Sequence, residues 1–202
     1  MKILILKKTL ITLVLFCSSI NLSIADISLT STYKTLVDKN GNITLPKNFR
    51  EDWTFLGTWS IAKKASKKRS NEVRDHGADS LHNVYTQRGV AKYVRKYGQF
   101  PDGAVIVKEL LKTVTGSMTT GIVSRGHEVE GWFIMVKDTQ GRFSSNPLWG
   151  DGWGWALVNN DKTFKTVTKN YKTECLGCHI PARETDWIYL SGYPLLSNQS
   201  GD

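Results

Sequence analysis

Five residues near the C-terminal end, Cys175-Leu176-Gly177-Cys178-His179, carry the most specific chemistry in the chain. Two thiols two residues apart, followed directly by an imidazole, are what covalent attachment of a c-type haem requires. Each thiol adds to one vinyl group of the porphyrin, and the imidazole reaches the iron as proximal ligand. Three rival readings exist. Half of a zinc site needs two further ligands at matching spacing, and the sequence has no second CxxC and no HxxxH. A thioredoxin-like redox pair sits early in a βαβ unit rather than near the end of a chain. A short disulfide is the third. The motif therefore predicts one covalent haem c, held by Cys175 and Cys178, with His179 on the iron.

The start of the chain predicts export. Lys2, Lys7 and Lys8 precede an apolar stretch from Leu10 to Phe16, and Ser23-Ile24-Ala25 is a small-x-small cleavage site. Residues 1–25 are read as a signal peptide and residues 26–202 as a single domain, with its core at about residues 38–196. The apolar stretch is too short for a lasting membrane span, so the mature chain is expected not to cross a membrane. Three cysteines are present, and Cys17 leaves with the leader, so no structural disulfide competes with Cys175 and Cys178. Haem c is attached outside the cytoplasm, which fits a periplasmic location.

The 202 residues less a 25-residue leader leave 177, enough for one domain with a real core. The formal charge falls from +9 to +6 when three leader lysines are removed. After export a nucleic-acid partner is not expected. A solvated basic face, or a dock for an acidic redox partner, accounts for the charge.

The elements that must position the motif follow from hydrophobic period and turn chemistry. A short helix is expected to end near Trp53, followed by a strand with Phe55, Trp59 and Ile61. Residues 63–80 read as a charged loop, and residues 82–87 as a short strand. Val90, Tyr93, Val94 and Tyr97 recur at helical spacing with Lys92, Arg95 and Lys96 outward, and Gly98 ends that helix. Pro101-Asp102-Gly103 is a turn. Strands are expected over residues 104–114, 129–137 and 153–158, with residues 115–126 as a hairpin region rich in small residues. Residues 163–174 lead into the haem motif as a candidate helix. The sum is an α+β fold, mainly antiparallel β-sheet with a few helices, forming a single haem-binding domain.

In that order the chain resembles the cytochrome P-460 family, which includes the cytochromes c′-β. The landmarks are Leu45-Pro46-Lys47-Asn48-Phe49-Arg50, Asn83-Val84-Tyr85, Phe100-Pro101-Asp102-Gly103, Val107-Lys108-Glu109-Leu110, Met135-Val136-Lys137-Asp138, Trp153 with its aromatic strand, Cys175 to His179, and Tyr193-Pro194-Leu195-Leu196. The resemblance covers essentially the whole mature domain. It implies a β-rich homodimer around one five-coordinate haem. Family members oxidise hydroxylamine and carry a bond between a lysine nitrogen and a porphyrin meso carbon. By position in its motif that lysine is Lys108. The c′-β relatives lack the bond and bind gases such as nitric oxide.

Read from its neighbours alone, Lys108 shares a strand face with Ile106 and Leu110, so it is either a snorkelling surface lysine or a buried amine. Burial would lower its pKa and make the amine nucleophilic. For the sixth position on the iron, Met118, Met135, His76, His82 and His127 are available, and none stands out, which agrees with an open distal side. His82 is a candidate to point into the pocket. Trp149, Trp153 and Trp155 read as core packing or as an apolar distal wall. Phe100 is a distal candidate by resemblance. Glu109, Glu128, Glu130 and Asp151 are the carboxylates considered as proton acceptors, with Glu109 expected opposite Lys108.

The first functional expectation is a periplasmic oxidoreductase that oxidises hydroxylamine or a related small nitrogen species and passes electrons to a soluble cytochrome. Non-enzymatic nitric oxide binding and simple electron transfer are the alternatives.

Overall fold

In the computed structural model, residues 29, 32–63, 77–161 and 163–197 are described. The expected leader and most of the lysine-rich loop, with His76, lie outside them. Six strands form one antiparallel sheet: β1 (Thr54–Ala62), β2 (Ala78–Thr86), β3 (Val105–Met118), β4 (Gly121–Lys137), β5 (Trp149–Gly150) and β6 (Trp153–Asn159), in the order β1-β2-β3-β4-β6-β5. The helices are short: α1 (Phe49–Asp52), α2 (Val90–Tyr97), α3 (Tyr171–Glu174) and α4 (Leu176–His179), followed by 3-10 turns over Ile180–Thr185 and Leu190–Gly192. The α+β, mainly antiparallel architecture is the one expected. Among the described residues no helix is long and apolar enough to cross a membrane.

Successive strand residues point to opposite faces, so the long central strands supply two cores at once. Val105, Val107, Ile134, Val136, Ala156 and Val158 face one way and are covered by Leu36, Val37, Ile43, Phe49 and Leu148. Ile106, Met135, Trp153 and Trp155 face the other way, towards Val90, Ala91 and Val94 of α2 and the C-terminal residues Tyr171, Cys175, Trp187, Ile188 and Tyr193. The sheet is thus the middle of three layers. Its second face carries the haem motif.

Three local expectations are corrected. In α2 the buried stripe is Val90, Ala91 and Val94, while Tyr93 and Tyr97 are exposed, with ring centroids 4.5 Å apart. Small Ala91 permits a close approach to the sheet, and the two tyrosines sit beside that seam. Gly98 ends the helix with φ 74°, a conformation that favours glycine. Residues 115–126 form the expected hairpin, with β3 and β4 paired to Met118↔Gly121, because ladder hydrogen bonds do not depend on apolar side chains. Of residues 163–174 only Tyr171–Glu174 is helical; Lys165 and Thr166 instead bridge to Thr44 and Val158. β2 also starts four residues before the expected strand, at Ala78.

Candidate haem site

Cys175 joins two single-turn helices, and the rest of the motif, Leu176–His179, is the second of them. Asn170 caps α3 by accepting the Lys172 amide, and Glu174 reaches back to accept the amides of Lys169 and Asn170 at 3.0 Å each. Cys175 follows, its own amide donating to the Tyr171 carbonyl at 2.9 Å. Residues three and four apart share one side of a helical turn, so Cys175, Cys178 and His179 reach one cavity together. Cys175 is buried and Cys178 exposed, and both thiols are free. Burial pushes the Cys175 thiol up to about 11, which keeps it protonated. Downstream, the Tyr189 hydroxyl donates to the Cys178 carbonyl at 2.7 Å and ties the next turn back.

His179 lies edge-on to Trp155 at 5.0 Å between centroids. Its Nδ1 is 2.7 Å from the Trp187 carbonyl. A carbonyl can only accept, so Nδ1 carries the proton and Nε2 keeps the lone pair. Burial holds the ring below its ordinary pKa. The ring is therefore neutral and oriented, with the lone pair of Nε2 available to a metal.

The opposite wall is the sheet. Register sets Trp59 beside His82, Val84 beside Lys108, Lys108 beside Phe133, and Ile106 beside Met135, which pairs with Trp155. A register shift in β1 between Phe55 and Gly57 turns Leu56 into this wall as well. The cavity measures about 430 Å³ and is mostly apolar. Trp59 leans on Tyr189 and Tyr193 at 5.9 and 6.0 Å, closing one side. It also lies so close to Gly192 that an added Cβ would come within 2.1 Å of its ring.

The amine of Lys108 sits 4.7 Å from the centroid of Phe133. Among the described residues it has no hydrogen bond and no ion pair. Burial lowers its pKa, and the two cysteines oppose that shift. His82 is driven down to about 4, first by burial and then by the Lys108 charge, so it is neutral near neutral pH. Its Nε2 is 3.3 Å from the Ser80 hydroxyl, a contact that suits either tautomer.

Of the residues singled out in the sequence, the structure brings Lys108, His82, Met135, Trp155, Cys175, Cys178 and His179 to this cavity. Phe100 does not line it. It packs edge-on against Trp153 at 5.3 Å inside the core, because the turn that follows directs it under the sheet end. Trp149 belongs to the opposite core, and Trp153 lies behind the cavity wall. Glu109 is on the far face as expected, paired with Arg50. Glu128 pairs with Lys112 at the surface, Glu130 is exposed, and Asp151 accepts from the Tyr171 hydroxyl. Met118 and His127 are exposed. Sequence reasoning missed Trp59 and Tyr189 as walls. Their signal was only the aromatic content of an edge strand and of a C-terminal loop.

The cytochrome P460 family model matches residues 46–190, more than two thirds of the chain. The chain belongs to the cytochrome P460 family. Comparison with curated proteins gave no match. Membership makes this a haem protein of the cytochrome P460 kind, and the cavity can be tested for fit. Its volume lies within the roughly 300–1,000 Å³ of cofactor sites, its walls are apolar and aromatic, and a neutral imidazole stands beside two thiols at its rim. The residues present fit a haem.

Proposed function

We propose that this cytochrome P460 family member is an exported haem c oxidoreductase that oxidises hydroxylamine or a related small nitrogen species. The observation that carries this reading is the convergence of Cys175, Cys178, His179 and Lys108 on one apolar cavity. Cys175 and Cys178 hold a single haem by thioethers, and His179 offers Nε2 to its iron. When bound, the haem supplies an iron centre that accepts electrons from a coordinated nitrogen compound. His82 is the proton acceptor on the sheet side of the cavity; its pKa of about 4 leaves the ring unprotonated near neutral pH but makes it a weak base. Lys108, its charge disfavoured by burial, is the amine held at the porphyrin edge; a lysine–porphyrin bond there would replace one amine N–H and one meso C–H and would pass two electrons and two protons to an external two-electron oxidant. Trp59, Tyr189 and Tyr193 restrict water. Removal of residues 1–25, a periplasmic location, a homodimer and a soluble cytochrome as electron acceptor complete the proposal.

A second reading, gas binding without turnover, is favoured by one observation. Among the described residues Glu174 is the sole carboxylate lining the cavity, and its Oε1 is engaged by two backbone amides. His82 decides between the readings. The experiment is the ferric and ferrous absorption spectrum and the denatured mass of the exported protein, followed by hydroxylamine turnover with a soluble acceptor. Covalent haem, a red-shifted ferrous Soret band lost in Lys108→Tyr, and turnover lost in His82→Leu are expected. Covalent haem with an ordinary five-coordinate spectrum and no turnover overturns the oxidase in favour of the gas-binding protein.

A further inference from the structure

The loop after the haem motif is held by a buried ion pair that the site as described does not use. Asp186 and Trp187 both have left-handed backbone, φ 57° and 66°. Two consecutive non-glycine residues in that region persist only where their surroundings hold them. The Asp186 carboxylate supplies the hold. Its Oδ1 accepts from Lys137 Nζ at 2.5 Å and from Trp153 Nε1 at 3.3 Å, and its Oδ2 accepts from the Phe100 amide at 3.0 Å. The Lys137 and Asp186 side chains are 10% and 14% exposed. Lys137 also lies 4.8 Å over the Trp153 ring. Lys137 ends β4 and pairs in register with Trp153, the first residue of β6. The carboxylate is thereby fixed to the end of the sheet.

One residue further on, the Trp187 carbonyl accepts the Nδ1 proton of His179 at 2.7 Å. The direction of that carbonyl is set by the backbone that Asp186 pins. We propose that Asp186, clamped by Lys137, is a positioning residue that sets the strength of the His179–Trp187 hydrogen bond, and through it the electron donation of His179 Nε2 to the haem iron. The inference rests on the haem-site reading above. A firm acceptor at Nδ1 raises the basicity of the other ring nitrogen, so weakening it makes the imidazole a poorer donor. Lys137 neutralises the carboxylate, so the clamp acts through geometry rather than through a net charge beside the ring.

The test uses the exported, haem-loaded protein. Its readouts are the ferrous iron–histidine stretching band by resonance Raman and the reduction midpoint. Asp186→Asn and Asp186→Gly both tolerate the left-handed backbone and remove the charged anchor. Both are expected to move the band to lower frequency and the midpoint upward, with haem mass unchanged, whereas Lys137→Arg keeps a cation and leaves both near wild type. If Asp186→Gly lowers thermal stability but leaves band and midpoint unchanged, Asp186 is merely structural and the proposal is overturned. If Asp186→Gly does not accumulate, Asp186→Asn against Lys137→Arg decides in the same way. Wild-type protein without an iron–histidine band overturns the haem-site reading itself, and the proposal with it; that outcome is visible before any variant is made.

Discussion

Lys108 and Glu109 are neighbours on β3, and they meet opposite environments. Glu109 faces the core built on Val107, Ile134 and Val136; it is 3% exposed and is bonded by Arg50 and, at 3.2 Å, by Trp132 Nε1. Lys108 faces the cavity, where its amine meets an aromatic ring and no carboxylate. Burying a charge costs free energy unless partners replace water. One face of the sheet meets that requirement within the chain. The other leaves it unmet beside two thiols and an imidazole, which is where a cofactor would supply the missing contacts. The closed face is built for stability and the open face for a guest.

The largest test of this contrast compares another pair of neighbours, Phe133 and Ile134. Ile134 is fully buried in the closed core, so Ile134→Ala is expected to cost about 2–5 kcal/mol. Phe133 has the larger side chain but lines a cavity, and Phe133→Ala is expected to cost less than Ile134→Ala. Denaturant unfolding of the two haem-free variants checks the order; equal losses would mean that the two faces are packed alike. Next in size is Arg50→Met, which removes the charged partner of Glu109. Arg50 is half exposed and Trp132 remains, so the expected loss is that of a poorly satisfied buried acceptor, about 1–3 kcal/mol. A midpoint unchanged from wild type would show that Trp132 and water suffice.

The two faces were unequally legible in the sequence. Alternation in β3 placed Lys108 and Glu109 on opposite sides, since a strand has only two faces. It could not say which face would hold a cavity, because that depends on residues 171–196 folding back over the sheet. The haem motif was legible because its chemistry is local: i, i+3 and i+4 on one turn. The placement of Trp187 and Asp186 was not, because it depends on a left-handed backbone and on an ion pair to Lys137, 49 residues away. Phe100 was expected in the distal pocket and packs instead in the core against Trp153, because the resemblance supplied an order along the chain but no depth within the core.

Lys108→Met should behave unlike Arg50→Met. It removes a charge that burial disfavours, so the stability of the haem-free protein, in which no bond to the ring exists, is expected to hold or rise, by up to about 1 kcal/mol. A loss of stability confined to the haem-loaded protein would mean that the amine has its partner there, and a bond to the ring would show in the denatured haem mass.

The smallest expected effect is a pH slope carried by His82. It faces Lys108 from β3 and, across the cavity, Glu174, Cys175, Cys178, His179, Tyr189 and Tyr193. Its pKa falls from 6.5 to about 4 on folding. Between those values the unfolded chain binds a proton that the folded chain refuses, so stability rises with pH across that window. The contribution is fully present above 6.5, declines as pH falls through the window, and changes no further below about 4. The partly buried ring still shares its environment with water, so the effect is well below what the full shift would give. His82→Asn removes the titration, and the difference between wild type and variant in denaturant midpoint should shrink or reverse as pH falls through the window. A difference that stays constant with pH would mean that His82 is solvated rather than part of the cavity wall, and the proton-accepting role proposed for it would go with it.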